Sequence, residues 1–471
     1  LQKGGFKVHL VGGCVRDLLL NRDPKDWDLA TSAKPEEIQE LFEDSVYENE
    51  FGTVGIKTDS EDPKLKVVEA TTYRREGGYA DKRHPDKVRF AETIEEDLAR
   101  RDFTVNAIAF DISKSDFDII DPYDGQVDLK ARIIRIVGDP VERFAEDALR
   151  LMRAVRFSAE LGFDIEEGTA GAISQLSNGL KIIAVERVRD EFVKLIMSSR
   201  AMEGVQMLED LNLLQYILPE LREGIGCGQN LHHIYSVWEH NLRALDYAVK
   251  NDFSLHVRLG ALLHDVGKPA TKRGEGKYST FYGHEVVGGK QTRKIVDRLR
   301  FSKDISDKVV HLVRQHLFYY NVGEVSEAGV RRFLARVGIE NIDDLVKIRE
   351  ADRIGSGVPK AKPYKIRHLL FMIDKVRRDP ISPKMLKIKG DEIMKLLGVL
   401  PGPRVGWILS ALMDEVLEDP SQNTNEYLAR RVEELGDLSD EALRNFAEKG
   451  REKMKEEEVG RERDMKKKHK V

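Results

Sequence analysis

Cysteine is nearly absent from the sequence, and this scarcity limits the classes of protein to which the chain can belong. Cys14 and Cys227 are the only two cysteines among 471 residues. Two isolated cysteines argue against a disulfide scaffold and against a cysteine-based zinc site. No secretory signal is visible, and no apolar run is long enough to span a bilayer. We therefore expect a protein of the reducing cytoplasm that does not contact a membrane.

A net positive charge is also missing. The chain has 77 lysines and arginines against 82 aspartates and glutamates, which gives a net charge of −5. Because nucleic-acid binders are usually basic, any contact with RNA has to rely on local basic patches. Apolar residues make up 41% of the chain, enough for several cores, and the length suits two to four domains.

Strand-like patterns are confined to the first third of the chain. Residues 8–11 and 67–73 are rich in β-branched residues, whereas beyond about residue 140 apolar residues recur at helical spacing. This change of pattern predicts an α+β protein, with a small head of β-sheet and helices on an elongated all-α body.

The first candidate site combines a glycine turn with paired carboxylates. Gly12 and Gly13 lie between a predicted strand and a predicted helix, where glycine lets the backbone approach a phosphate. Asp26 and Asp28 flank Trp27, and on an extended segment residues two apart point to the same side. Such a pair can hold two divalent cations for phosphoryl transfer. A bare Asp-x-Asp is usually a solvated turn, but the preceding strand, glycine turn and helix favour the metal site.

Further polar residues accompany this pair. Glu69 lies on a later predicted strand and is either a third site carboxylate or an exposed, salt-bridged residue. Arg101 can pair with a triphosphate, and Asp102 or Asn106 with a ribose, unless they form a structural salt-bridge network.

These motifs, in this order, resemble the class II tRNA nucleotidyltransferases, a family shared with bacterial poly(A) polymerases. The segments that carry the resemblance are 10–17, 26–28, 100–107, the hinge 139–144, 146–150 and 186–192. The resemblance implies that Asp26 and Asp28 are catalytic and hold Mg²⁺. It further implies that the nucleotide is contacted by Gly12, Gly13, Arg16, Arg101, Asp102 and Asn106.

A second candidate site selects the base. Residues 146–157 read as one helix, on which Asp147 and Arg150 share a face. A carboxylate accepts and a guanidinium donates, which matches the pairing edges of cytosine and adenine and mismatches those of uracil and guanine. The resemblance implies the same base-reading role. Arg153 and Arg156 continue the three-residue spacing and either bind nucleotide or acceptor phosphates or pair with nearby acids.

Residues 74–89, rich in glycine and charge, are predicted to be a mobile loop. In the family, this loop is present in enzymes that add A and is missing or shortened in those that add only C. Its presence argues against a CC-only enzyme and does not separate a CCA-adding from an A-adding enzyme.

A third candidate site follows in the helical body. His240, the pair His264 and Asp265, and Asp352 resemble the metal ligands of the HD phosphohydrolase superfamily, and His284 and His316 match the extra histidines of its two-metal members. Imidazole and carboxylate ligands suit a divalent transition metal or Mg²⁺. Lys268 either binds phosphate or is structural.

The sequence therefore predicts an enzyme that adds CCA, or its terminal A, to the 3′ end of tRNA from CTP and ATP, with additional HD-domain phosphohydrolase activity. The alternatives are an A-only adding enzyme or a poly(A) polymerase, a metal-dependent phosphodiesterase or phosphatase, and a non-catalytic RNA-binding protein, which the intact carboxylates disfavour. The predicted domains are a catalytic head (1–138), a base-reading and RNA-binding neck (139–225), an HD domain (226–360), a tRNA-contacting helical region (361–440) and a charged tail (441–471).

Overall fold

A computed structural model describes residues 1–49, 52–77, 87–113, 118–230 and 234–448. They form a head built around a seven-stranded sheet, followed by a body made of α-helices. The predicted α+β head on a helical body is confirmed. No helix in these ranges combines the length and the apolar composition needed to cross a membrane.

The large sheet places β2 near its centre. The strand order is β3-β4-β5-β2-β1-β8-β9, and β2 and β5 are parallel while all other neighbours are antiparallel. The strands are β1 (Val8–Val11), β2 (Asp28–Thr31), β3 (Ser45–Asn49), β4 (Thr53–Lys57), β5 (Val67–Thr72), β6 (Arg74–Gly77), β7 (Lys87–Phe90), β8 (Ala109–Asp111), β9 (Asp118–Ile120), β10 (Ile133–Ile134) and β11 (Asp164–Ile165).

The helices of the head and the neck are mostly short. They are α1 (Gly13–Leu19), α2 (Pro35–Leu41), α3 (Ile94–Ala99), α4 (Gly125–Ala131), α5 (Pro140–Glu146), α6 (Leu149–Leu161), α7 (Glu167–Leu176), α8 (Val185–Met197), α9 (Ala201–Asp210), α10 (Leu214–Ile217) and α11 (Pro219–Arg222).

The body continues with helices that are mostly longer, apart from the four-residue α14. They are α12 (Val237–Lys250), α13 (Leu255–Leu263), α14 (Lys268–Thr271), α15 (His284–Arg298), α16 (Lys303–Gln315), α17 (Glu327–Val337), α18 (Ile342–Gly355), α19 (Tyr364–Val376), α20 (Gly390–Leu397), α21 (Pro403–Glu418) and α22 (Asn425–Gly436).

One apolar core runs from the head through the neck into the body. It includes Phe103 of the head, Phe157 and Phe192 of the neck, and Leu263 and Val313 of the body, all buried. A second core joins α13 and α18 to the C-terminal helices α19 to α22. Because the first core is continuous, the sheet and the first body helices are held together by apolar packing as well as by polar contacts.

The segment predicted to be a mobile loop differs from that expectation at its ends. β6 and β7 pair as antiparallel strands, with Arg74 opposite Phe90. The two strands form backbone hydrogen bonds with each other, and a composition rich in charged residues does not prevent such pairing. Residues 78–86 of the predicted loop and residues 449–471 of the predicted tail lie outside the described residues.

Candidate functional sites

The glycine turn and the paired carboxylates come together at the end of the central strands. Gly12 joins β1 to α1 with φ +76°, and a methyl group on its Cα would lie 2.7 Å from Arg101 Nη1 and 3.8 Å from Asp28 Oδ2. A methyl group on Gly13 would lie 4.0 Å from Asp26 Oδ1. Glycine at position 12 therefore serves both the left-handed backbone and the close approach of the two side chains.

The two carboxylates occupy different surroundings. Asp26 is exposed before β2, Asp28 is half-buried at its first position, and Trp27 between them packs against the main core. Burial raises the pKa of the Asp28 carboxyl and so does the neighbouring Asp26, whereas Arg101 lowers it. A divalent cation would relieve the repulsion between the two acids, and oxygen donors of this kind suit such an ion.

Glu69 is a third acid at this edge that the sequence did not place firmly. β2 and β5 are parallel with Asp28 directly opposite Glu69. Paired residues of neighbouring strands point to the same face, so Glu69 and Asp28 share one side of the sheet. The pairing of strands forty residues apart carried no signal in the sequence beyond a β-rich pattern around Glu69.

A chain of hydrogen bonds joins three predicted nucleotide ligands of the head to Arg153 of the neck. Arg16 Nη1 donates to Asn106 Oδ1 (2.8 Å), Asn106 Nδ2 donates to Asp102 Oδ1 (3.2 Å), and Arg153 Nε donates to Asp102 Oδ2 (2.8 Å). Burial alone would raise the pKa of Asp102, but the charge of Arg153 holds it well below its usual range. These side chains support one another, and their contact with a nucleotide stays a prediction.

The prediction of one helix over 146–157 is wrong. α5 ends at Glu146, Asp147 has an extended backbone, and α6 begins at Leu149. Asp147 Oδ1 accepts from the Leu149 N–H (3.0 Å) and its Oδ2 accepts from Arg187 Nη2 (3.0 Å). The carboxylate thus satisfies a free N–H at the start of α6, which favours a break in the helix.

Arg150 does not pair with Asp147. Its Nη1 donates to Glu146 Oε2 (2.7 Å) and to the Arg143 carbonyl (2.8 Å). Arg143 also contacts Glu146 and donates to the carbonyls of Arg100 and Arg101. Glu146, which the sequence analysis did not single out, therefore fixes the predicted base reader Arg150 next to the segment that carries Arg101.

Arg156 lies in an internal network. It is buried, its Nε donates to Glu191 Oε2 (2.6 Å), its Nη1 donates to Glu160 Oε2 (2.6 Å), and its guanidinium stacks 3.8 Å from the centre of the Phe157 ring. This arrangement corresponds to the alternative of pairing with nearby acids. A contact between Arg156 and a nucleotide remains untested.

The histidines and aspartates of the body converge in the interior. His240 lies on α12, His264 and Asp265 follow α13, His284 begins α15, His316 follows α16, and Asp352 lies on α18. Within the described residues, two groups have the spacing of metal ligands, and they share one carboxylate. These groups are His240, His264 and Asp265, and Asp265, His284 and His316.

Backbone carbonyls orient three of these imidazoles. The Nδ1 atoms of His264, His284 and His316 lie 2.7 to 2.8 Å from the carbonyls of Ala261, Phe281 and Val313. Donation from Nδ1–H leaves the Nε2 lone pairs free for a metal. The Nε2 atoms of His240 and His264 are 2.9 Å apart, and those of His284 and His316 are 3.3 Å apart. The donor set fits one or two divalent ions, with Asp265 between them.

Asp352 and Lys268 complete the surroundings. Asp352 Oδ1 lies 3.4 Å from His240 Nε2 and 3.8 Å from His264 Nε2, and Arg349 binds its other oxygen at 2.6 Å. Lys268 Nζ lies 2.6 Å from Asp265 Oδ2 and 2.6 Å from Gln229 Oε1. Although burial opposes ionisation, Lys268 and His264 hold the pKa of Asp265 well below its usual range. Burial and the neighbouring imidazoles lower the pKa of His316 to about 3, so this ring is neutral at physiological pH.

Three family models match consecutive parts of the chain. The poly A polymerase head domain matches residues 8–135, the probable RNA and SrmB-binding site of polymerase A matches 162–225, and the HD domain matches 231–355. The matches cover the parts of the chain that hold the paired carboxylates, α8 of the neck and the histidine cluster.

Relatives and solved structures agree with these matches. The CCA-adding enzyme of Limosilactobacillus fermentum is 46% identical over 50% of this chain and 56% of its own length, and that of Leuconostoc citreum is 47% identical over 46% and 52%. The chain thus matches about half the length of these curated relatives. The CCA-adding enzyme of Bacillus stearothermophilus in complex with CTP has a TM-score of 0.70 at 27% identity, over 92% of this chain and 94% of that one.

A longer match decides the relationship. The A-adding tRNA nucleotidyltransferase of Deinococcus radiodurans is 37% identical over 70% of this chain and 76% of its own length. The chain therefore belongs to the family of tRNA nucleotidyltransferases that carry a poly(A) polymerase head domain.

Proposed function

We propose that the protein transfers nucleotides from CTP and ATP to the 3′ end of tRNA. The 3′ hydroxyl of the RNA attacks the α-phosphorus, a phosphodiester bond forms, the bond to the β-phosphate oxygen breaks, and pyrophosphate leaves. The observation that carries the proposal is the placement of Asp26 and Asp28 beside Gly12 and Arg101, in a chain of this family.

The residues of the head would divide this reaction among them. Asp26 and Asp28 would hold Mg²⁺, which when bound stabilises charge on the attacking and leaving oxygens. The open backbone at Gly12 lets phosphate oxygens approach, and Arg101, beside it, offers its charge to them. Glu69 shares the face of Asp28 and is placed to help hold the metal.

The neck would select the base. Asp147 would accept from the amino group of cytosine or adenine, and Arg150 would donate to the adjacent ring nitrogen. Arg187 holds the Asp147 carboxylate and Glu146 holds Arg150, so both groups are oriented before a base arrives. We further propose the domain limits given above: a catalytic head (1–138), a neck (139–225), an HD domain (226–360), an RNA-contacting region (361–440) and a tail (441–471).

Two substrates distinguish the possible products. tRNA that ends before CCA and tRNA that ends after CC are each incubated with labelled CTP, labelled ATP or both. Incorporation of CTP into the first tRNA identifies a CCA-adding enzyme, as the relative from Limosilactobacillus is named. Incorporation of ATP into the second tRNA alone identifies an A-adding enzyme, as the relative from Deinococcus is named. Long A-tails identify a poly(A) polymerase, and no incorporation from either nucleotide contradicts the proposal.

The histidine cluster supports a second activity, the hydrolysis of a phosphoester. The observation behind it is the convergence of four histidines on Asp265. Their Nε2 atoms face its carboxylate, and the histidines are His240, His264, His284 and His316. Such a site would hold a divalent transition metal or Mg²⁺, which when bound makes water a nucleophile near neutral pH. Lys268 would hold Asp265 ionised, and Asp352, whose Oδ1 lies near the Nε2 atoms of His240 and His264, would be a further metal ligand.

A 2′,3′-cyclic nucleotide tests this activity. Hydrolysis that is lost in His264→Ala and kept in Asp28→Ala assigns it to the body. The proposed hydrolytic activity is contradicted if neither the wild-type protein nor the metal-loaded protein hydrolyses the 2′,3′-cyclic nucleotide.

A further inference from the structure

One segment of the body is strongly basic, although the chain as a whole is acidic. Residues 359–389 contain ten lysines and arginines and two aspartates, a net charge of +8, whereas the whole chain has −5. The rest of the chain therefore carries −13. This segment contains α19, whose buried side packs Ile366, Leu369 and Ile373 into the second core.

The outer side of α19 presents aromatic rings between cations. Tyr364, His368 and Phe371 follow one another at spacings of four and three residues, which places them along one side of the helix. Their ring centroids are 5.8 Å and 6.0 Å apart. Tyr364 is 61% exposed and Phe371 is 62% exposed. The rings form a continuous ladder with its two ends open to solvent.

Supporting contacts hold the middle of this ladder. The hydroxyl of Tyr320, in the loop between α16 and α17, lies 2.5 Å from Nδ1 of His368. Arg367, on α19, and Arg378, just beyond its C-terminal end, are exposed. Within the part of the chain that the structure describes, neither of these two arginines takes part in an ion pair. We refer to Tyr364, Arg367, His368, Phe371 and Arg378 as the α19 stripe.

We propose that the α19 stripe binds RNA, with unpaired bases stacking on Tyr364 and Phe371 and phosphates contacting Arg367 and Arg378. Every base has a face that can stack on an aromatic ring, and cations beside the rings follow the sugar-phosphate backbone. From Tyr364 to Phe371 the helix advances about 10 Å at 1.5 Å per residue, long enough for more than one nucleotide. This inference rests on the proposed function for the identity of the RNA, a tRNA.

Two other partners fit the observations less well. A membrane surface requires a contiguous apolar face. The buried aliphatic residues of α19 point into the core, and its two exposed rings, Tyr364 and Phe371, are separated by the half-buried His368. An acidic protein would use the cations without needing a ladder of rings. RNA is the partner that uses both.

The test measures binding of a fluorescent tRNA transcript lacking CCA, without nucleotides, over about 50 to 200 mM salt. We expect Arg367→Glu/Arg378→Glu to weaken binding about tenfold or more and to reduce the slope of log affinity against log salt by 1 to 2. The charge-matched control is Lys130→Glu/Lys303→Glu, two exposed positions on α4 and α16 that lie outside the proposed RNA-contacting region. Arg367→Lys/Arg378→Lys, which keeps the charge, should bind as the wild-type protein does.

A second pair of variants tests the rings. Tyr364→Ala/Phe371→Ala should weaken binding about tenfold and leave the salt slope unchanged, because stacking releases no counterions. The matched control is Tyr47→Ala/Phe446→Ala, two exposed aromatic positions elsewhere. Thermal unfolding of each variant separates a lost contact from a lost fold.

Three results overturn the proposal. The first is binding by Arg367→Glu/Arg378→Glu that equals its charge-matched control. The second is binding by Tyr364→Ala/Phe371→Ala that equals its control. The third is cosedimentation with phosphatidylserine vesicles that depends on the stripe while tRNA binding does not.

The outcome is separable from that of the proposed function. If the stripe binds tRNA and neither CTP nor ATP is incorporated, nucleotide addition is wrong and the stripe stands. If incorporation is normal and the stripe variants have an unchanged KM for tRNA, the stripe is wrong and nucleotide addition stands.

Discussion

The acidic site of the head and the histidine cluster of the body differ in how far the protein alone organises them. Asp26 is exposed and repels the half-buried Asp28, and the nearby Arg101 is also bound to Asp97. In the body, by contrast, His264 and Asp265 are fully buried, and the imidazole is fixed by a backbone carbonyl. From this difference we expect the proposed site of the head to be completed when metal and nucleotide bind, and the proposed metal site of the body to be preorganised.

The largest effect expected from this comparison is on the acidic site of the head. Asp28→Asn should lower kcat for nucleotide addition about a thousandfold, because a metal ligand stabilises transition-state charge by several kcal/mol. The protein should keep its fold, since the change removes a repulsion between two acids. Measurement of kcat with labelled ATP and of the thermal midpoint checks both. Undiminished addition by this variant would remove the basis of the proposed function.

A change in the histidine cluster of the body should affect metal binding and leave nucleotide addition unchanged. His264→Ala should lower the amount of metal retained through dialysis, measured by elemental analysis, because the two remaining ligands of its group no longer surround an ion, while the group of Asp265, His284 and His316 is intact. Nucleotide addition should be unchanged. His256→Ala, a change of another histidine on α13, is the control. Equal metal content in the two variants would contradict a metal site at the cluster.

Ion pairs such as that between Asp102 and Arg153 support the acidic site of the head, so their contribution to the stability of the protein should decrease in acid. Arg153→Gln leaves the half-buried Asp102 without its cation and should destabilise the protein by about 2 kcal/mol at neutral pH. The pKa of Asp102 is held below its unfolded value, so its stabilisation is present above about pH 4 and is lost as the pH falls further. Urea midpoints of wild type and variant should therefore converge below pH 4. A difference that does not depend on pH would contradict this account.

The smallest effect concerns the support of the base reader. Glu146→Gln keeps the shape of the side chain but removes the charge that holds Arg143 and Arg150, and should lower kcat/KM for ATP about tenfold. The KM for tRNA should not change, which separates orientation of the nucleotide from RNA binding. Glu142→Gln, one turn earlier on α5, is the control. Equal kinetics for the two variants would show that Glu146 does not position Arg150.

The convergence of the histidine cluster could be predicted because the order of its residues along the chain resembles that of the HD phosphohydrolases. A lone pair such as His264 and Asp265 at the end of an apolar helical run would not have been enough, since such pairs are usually structural. Asp26 and Asp28 were recognisable from their two-residue spacing after a strand, a glycine turn and a helix, although only Asp28 lies on β2 and Asp26 precedes it.

The prediction of one helix over residues 146–157 failed because a distant partner helps to decide the local structure. Asp147 is of a residue type that often begins a helix, but the local pattern does not show that it caps α6 and binds Arg187, forty residues away. The sequence left two interpretations of Arg156 open; the structure shows its pairing with Glu191, thirty-five residues further on, and a contact with nucleotide stays a prediction. Local patterns carry no information about such partners.

The sequence by itself determined the classes of structure and the types of ligand: a β-containing head, a helical body, paired carboxylates after a glycine turn, and histidines with aspartates on helices. These follow from periodicity and side-chain chemistry, which are local properties. Only the tertiary structure decided which groups meet. It placed Glu69 beside Asp28, Arg150 on Glu146, and Asp265 between two pairs of histidines. Long-range packing fixes these encounters, because burial of apolar surface, not the polar groups themselves, sets the positions of the helices and strands.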